Sequence, residues 1–300
     1  MKNKRLVTLA ISAIGILLLI LDAKTALASA TEGITLCLTT VIPSLFPFFV
    51  LSAVINSAFS GTKVSILRPI SRLCRLPAGA ESILILGLIG GYPVGAASIR
   101  QGYKTGILCK KDSERMLAFC NNAGPAFIFG LLSPILGNIG LCWALWIIHI
   151  SSAIVVGILI PGGSKETVTV HSAQPLGVTQ AMQLGIKNMV TVCGWVVLFR
   201  VILGFTEHWF LWLLPPVFQT VITGILELTN GCLSLAQIES VPLRFLLAAG
   251  FLSFGGICVA MQTDSVIGEL SLRKYCIGKL LQTILSIAMS FVFLTFFPLG

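Results

Sequence analysis

GGYPVGA, from Gly90 to Ala96, and CNNAGP, from Cys120 to Pro125, place glycine, proline and amide residues inside otherwise apolar stretches of this chain. Glycine and proline both interrupt helices. Backbone that stops being helical at membrane depth is tolerated only where protein encloses it or where it lines a cavity. In transporters, such breaks near the bilayer midplane bind substrates and ions. The two clusters therefore predict an all-α fold, a polytopic membrane helix bundle with two re-entrant or broken-helix hairpins, that recognises a small polar solute.

Composition supports the lipid bilayer as the surroundings. Of the 300 residues 56% are apolar and 10% charged, with a mean hydropathy of +0.97, whereas a soluble domain carries about 25% charged residues. Runs near the roughly 20 residues that cross a hydrocarbon core are Leu6 to Leu21, Gly33 to Ala58, Ile139 to Ile160, Met182 to Phe205 and Cys276 to Leu299. Trp209 to Leu228 is a further candidate, interrupted by Pro215 and Pro216. Ser82 to Tyr103 and Leu243 to Ile267 carry central glycines and read as re-entrant.

The net charge of +9 is spread over loops and not along one folded face, so no nucleic acid is expected. Topology explains it. Lys2, Lys4 and Arg5, then Lys63, Arg68, Arg72 and Arg75, then Lys104, Lys110, Lys111 and Arg115, all fall on the cytoplasmic side if Ser82 to Tyr103 is re-entrant. The N-terminus is then cytoplasmic. The first run also has the outline of a cleavable signal ending at Ala28-Ser29-Ala30, and Lys24 to Glu32 reads equally as a short connector between two spans.

Nine cysteines are scattered without a CxxC pair, and His149, His171 and His208 are equally dispersed. No zinc spacing, HExxH, Walker loop or catalytic triad order is present, so neither an enzyme nor a cofactor or metal site is expected. Most of the thiols read as packing residues. Trp143, Trp146, Trp209 and Trp212 read as interface markers, and Arg200 as a snorkelling side chain.

The order of elements hints at duplication. After a first helix and connector (1–32), a unit at 33–162 holds a long span, a glycine hairpin and further crossings. A polar linker (163–180, within Pro161 to Gln180) leads to a second unit, 181–300, with its own hairpin expected at Gly255-Gly256. Three crossings between the long spans would make the units an inverted repeat, the plan of many secondary transporters. Against it, Arg273, Lys274 and Lys279 would then lie outside, where the charge rule disfavours them. Ser65 to Leu76 reads as an interfacial helix or as a solvated loop.

Within the first hairpin, Gly91 and Gly95 have GxxxG spacing around Pro93, which suits tight packing or a solute-lining tip; Tyr92 and Ser98 would supply hydroxyls. Asn121 and Asn122 are two amides at a helix break, and intramembrane polar groups are either functional or interhelical ties. Carboxamides both donate and accept, as a neutral polar ligand requires. In the second half Asn230, Ser253 and Gln262 are the comparable groups, and Glu227 and Asp264 are the carboxylates placed for ion coupling, water-facing helix ends being the blander reading.

These segments resemble a known family. VIPSLFPFF (Val41 to Phe49), GGYPVGA, SERMLAFCNNAGPAFIFG (Ser113 to Gly130), ILELTNGC (Ile225 to Cys232) and FLSFGGICVAMQ (Phe251 to Gln262) are similar, in that order, to the YlbJ family of sporulation integral membrane proteins. The family carries the Gate, or nucleoside-recognition, domain, here about Leu38 to Ile150, which is also associated with nucleoside and ferrous-iron transporters. The resemblance implies a role in endospore formation in a Gram-positive bacterium. It points to transport without naming the solute, and it carries over no catalytic residue. Two classes stay open, a solute carrier and a membrane scaffold or sensor of sporulation, and either is compatible with a homo-oligomer.

Overall fold

A computed structural model describes residues 2–58, 68–162 and 177–298. Lys63, the start of the Ser65 to Leu76 stretch, His171 and most of the Pro161 to Gln180 linker lie outside them. The described residues are 83% helical, without strands. Five helical stretches are long and apolar enough to cross a membrane: Ala23–Ile55, Ile139–Leu159, Val178–Trp209, Val241–Ile267 and Arg273–Phe296. This is a multi-pass membrane helix bundle.

The helices are α1 Lys2–Leu21, α2 Ala23–Leu36, α3 Ile42–Ala58, α4 Arg68–Leu73, α5 Glu81–Ile89, α6 Val94–Lys104, α7 Lys110–Met116, α8 Pro125–Phe127, α9 Ser133–Leu136, α10 Ile139–Leu159, α11 Val178–Trp209, α12 Pro216–Leu226, α13 Leu228–Ser234, α14 Val241–Phe254, α15 Gly256–Ile267 and α16 Arg273–Phe296. Lys24 to Glu32 is not a separate connector. Asp22 caps α2 by accepting from the Thr25 N–H, and α2 runs through one wide π turn, Cys37–Val41, straight into α3. The boundary expected at 32/33 thus falls inside a continuous helix.

That helix packs antiparallel to α11: Gly204 lies against Ser29, Gly33 against Val197 and Gly185 against Val50. Around this pair stand two helical hairpins and two broken helices. The first hairpin is α5–α6, folded at Gly90 to Pro93 as its glycines predict. The second is α12–α13, folded at Glu227, and not the Gly255-Gly256 segment. Pro215 and Pro216 start α12, and at about 1.5 Å per residue its eleven residues reach roughly half-way across the hydrocarbon core. Trp209 to Leu228 therefore supplies one arm of a re-entrant loop and not a span.

Gly255 and Gly256 interrupt a helix that otherwise continues from α14 to α15. Both have positive φ, 82° and 80°, a conformation open to glycine at no steric cost. This is the counterpart of the Cys120 to Gly124 break between α7 and α8. Each half thus runs long span, hairpin, broken helix, final span.

The assignment also removes the charge conflict. With α14–α15 as a full crossing, Arg273 and Lys274 lie at the same end as the other basic loops. Arg115 ties that end together, its guanidinium donating to the carbonyls of Cys74 (2.5 Å), Gly157 (2.8 Å) and Ile160 (3.0 Å). The Ser271 N–H donates there to Glu114 Oε1. At the opposite end Arg244 donates to the Ile135 carbonyl, and Trp143, Trp146, Trp209 and Trp212 gather near the helix ends. Arg200 does not snorkel alone; it pairs with Glu32 at 2.6 Å and Glu207 at 2.9 Å.

Candidate functional site

Both hairpin tips and both breaks meet in the middle of the bundle. Close backbone approach makes this possible. A Cβ on Gly95 or Gly87 would collide with the Cys120 carbonyl, Gly91 abuts Gly124, and Gly256 abuts the Gly224, Leu226 and Leu228 backbone at the second tip. The GxxxG pair therefore seats the first tip on the first break.

A cavity opens where these parts face the π turn of α2–α3 and α11. Its empty space, with the open mouth counted in, is about 510 Å³. Its polar lining comes from Thr40, Ser44, Tyr92, Glu227, Thr229 and Gln262. Val41, Leu45, Val192, Val196 and Phe127 form apolar walls. A π turn at a cavity wall is itself a frequent mark of a functional site.

Glu227, 1% exposed, caps α13. Its carboxylate accepts from the Thr229 N–H at 3.0 Å and from both the N–H and the side-chain amide of Asn230 at 2.7 Å. Those donors satisfy a carboxylate that burial would otherwise penalise. Asn230 thus acts on the cavity by holding Glu227.

Asn121 and Asn122 lie behind the cavity, fully buried and engaged with protein. Asn121 accepts from the Ala96 N–H (3.2 Å) and donates to Thr263 Oγ1 (2.9 Å). Asn122 donates to the Gly87 and Phe119 carbonyls and accepts from Lys279 and Gln282. The amides that suggested a solute contact act here as interhelical ties. Ser253 pairs with His149 Nδ1 at 3.2 Å, while His149 Nε2 accepts from the Ala123 N–H, so this imidazole bridges the two breaks. Ser98 is buried on α6 outside the cavity lining, and Asp264 is exposed on α15.

Of the expected residues, then, Tyr92, Glu227 and Gln262 line the cavity, and Asn121, Asn122, Asn230 and Ser253 brace it. Lys279 is the residue that sequence reasoning misplaced. Counted among basic residues before the last span, it is 1% exposed at the centre of the bundle. Its ammonium donates to Gln282 Oε1 (2.7 Å), the Tyr92 hydroxyl (3.0 Å) and Asn122 Oδ1 (3.1 Å). The i, i+3 pairing of Lys279 with Gln282 on an otherwise apolar helix was the available signal. No group of three metal-ligating side chains occurs among the described residues.

The chain is similar to the sporulation integral membrane protein YlbJ of Bacillus subtilis (strain 168), with 24% identity over an alignment of 321 residues that takes in 90% of this chain and 78% of the relative. That similarity supports the YlbJ family for this chain. No family model matches it, and no solved structure matches it.

Proposed function

We propose that this protein is a secondary carrier of a small polar solute acting in endospore formation, with its site in the central cavity. The observation that carries the reading is the convergence of two re-entrant tips and two helix breaks on one cavity bearing a buried carboxylate, Glu227, and an amide, Gln262. Inverted repeats with discontinuous helices build such sites at their interface. The halves 33–162 and 181–300 are the two repeats in this reading, and the Gate-like segment from Leu38 to Ile150 is the first of them. Positive charge at the Arg115 end makes that end, and the N-terminus, cytoplasmic.

A solute here meets acceptors at Glu227, mixed donors and acceptors at Gln262, Thr229, Ser44 and Tyr92, and an apolar wall. That lining suits a hydrogen-bonding solute with an apolar face, a class that includes nucleosides. Alanine replacement of Asn121 or Asn122 does not separate a carrier from a scaffold, because both amides hold the bundle together. Gln262→Leu and Thr40→Val do, since both line the cavity and neither side chain ties two helices together. Purified protein is screened by thermal unfolding against nucleosides, nucleobases, small organic anions and metal ions, since a ligand of the native state raises apparent stability. The stabilising compound should enter proteoliposomes, and the two variants should fold normally yet bind it about 10–100-fold more weakly. A compound that stabilises the protein but never crosses, or variants that respond like the parent, would overturn the carrier in favour of the scaffold.

A further inference from the structure

Lys279 sits against the first hairpin tip and the first helix break, and such breaks are where carriers built from discontinuous helices bind ions. Around its Nζ stand three oxygens from three different parts: the Tyr92 hydroxyl at the first hairpin tip, Asn122 Oδ1 at the first break and Gln282 Oε1 on α16. The rings of Tyr92 and Tyr275 lie with centroids 5.0 and 5.9 Å from the same nitrogen. An ammonium has three donors and no acceptor, so this cage uses all of them. No carboxylate pairs with it among the described residues.

The titratable side chains that face the cage are Tyr92 from the hairpin, Cys120 from the break, Tyr275 from α16 and His149 from α10. Charged groups on the other packed elements point elsewhere. Arg244 of α14 binds the Ile135 and Ile238 carbonyls, Arg100 of α6 binds the Val266 carbonyl, Glu114 and Arg115 of α7 serve the basic end, and Asp264 of α15 is exposed. The cage is therefore a cation site in oxygen and π-face ligands whose cation is tethered to the protein.

We propose that Lys279 is a proton-binding site that replaces a bound metal ion as the coupling group, latching the first hairpin tip to the first break while it is charged. The proposal rests on the carrier reading of the cavity, which shares Tyr92 with the cage. A lysine gives up its charge with one proton, which an arginine or a resident metal ion does not. Neutral Lys279 has two N–H donors for three acceptors and loses its attraction to the two rings. The Tyr92 tip is then held less tightly, and its cavity wall is free to move. Rising pH therefore loosens the latch, and falling pH closes it.

Hydrogen–deuterium exchange of the full chain in lipid nanodiscs tests this without knowledge of the solute. Rates are normalised to intrinsic chemistry, and peptides covering 88–97 and 118–126 are followed at pH 6 and pH 9. In the parent protein they should exchange at least tenfold faster at pH 9. Lys279→Arg should stay protected at both values, and Lys279→Met should exchange fast at both. Equal protection of the parent at the two pH values overturns the proposal, as does a pH response that survives in Lys279→Met. Replacing sodium by choline should change nothing; a sodium-dependent rise in protection of the parent overturns it in favour of a metal ion. A pH-sensitive latch without solute flux would sink the carrier alone, and flux with an insensitive latch would sink the proton site alone.

Discussion

The Tyr92 hydroxyl donates to the Leu252 carbonyl at 3.0 Å, linking the tip of the first hairpin to the broken helix of the second half. In an unbroken helix that carbonyl would accept the N–H of residue 256, which the glycine joint turns away. Tyr92 fills the vacancy and at the same time accepts from Lys279. One phenol from the first half thus repairs a break in the second half and holds a cation of that same half. Tyr92→Phe should lower stability by about 1–3 kcal/mol, the cost of leaving buried polar groups unpaired, as read by denaturant unfolding in micelles.

Asn122 is the acceptor shared by Lys279 and Gln282. Asn122→Leu leaves a buried ammonium and the Gln282 amide each short of a partner, a loss of about 1–3 kcal/mol for each buried group left unpaired. Membrane abundance should fall sharply. Addition of Lys279→Met should recover much of the loss, and a double-mutant cycle with non-additive stabilities is the check.

Gly95 and Gly194 make a matched pair of helical glycines. A methyl on Gly95 would run into the Cys120 carbonyl, whereas one on Gly194 meets nothing within 4 Å. Gly95→Ala should unseat the first hairpin and abolish accumulation of folded protein. Gly194→Ala should be neutral or raise stability by up to about 1 kcal/mol through helix propensity, measured as a shift in Tm.

Arg115 closes the basic end by donating to three carbonyls, two of them, on Gly157 and Ile160, at the end of α10. Lysine lacks the planar fork that reaches all three. Arg115→Lys should therefore cost about 2–4 kcal/mol for the charged hydrogen bonds it fails to remake. Thermal unfolding of the purified variant reads the difference directly.

Ser271 and Asn138 are exposed at opposite ends of the bundle. In a background without native cysteines, Ser271→Cys should react with a membrane-impermeant maleimide only from the cytoplasmic side. Asn138→Cys should react only from the other. Labelling of both from one side would contradict the inverted arrangement proposed for the two halves.

Much of this architecture can be read from hydropathy, because apolar length measures the bilayer and Gly-Gly-Tyr-Pro cannot continue a helix. The second hairpin could not be read that way. Trp209 to Leu228 is as apolar as a span, and only packing shows that the chain turns back at Glu227. Conversely, Gly255-Gly256 looks like Gly90-Gly91 on paper, yet one glycine pair joins two stacked segments and the other reverses the chain. For the site, residue type located Tyr92, Glu227 and Gln262. It could not show that Asn121 and Asn122 spend their hydrogen bonds inside the bundle, or that Lys279 lies far from water, since both depend on which helix faces they meet.

The half-depth reach of the hairpin arms has an electrical consequence. In the proposed carrier, a tip that closes the central cavity from one aqueous side would do so with only part of the hydrocarbon thickness, and the membrane voltage would fall across that thin plug. A unit charge travelling from either side to Glu227 crosses about half of that voltage, worth roughly 1.2 kcal/mol per 100 mV. In the proposed carrier, polarisation of the membrane would act separately on the loading step and on the release step of a charged guest.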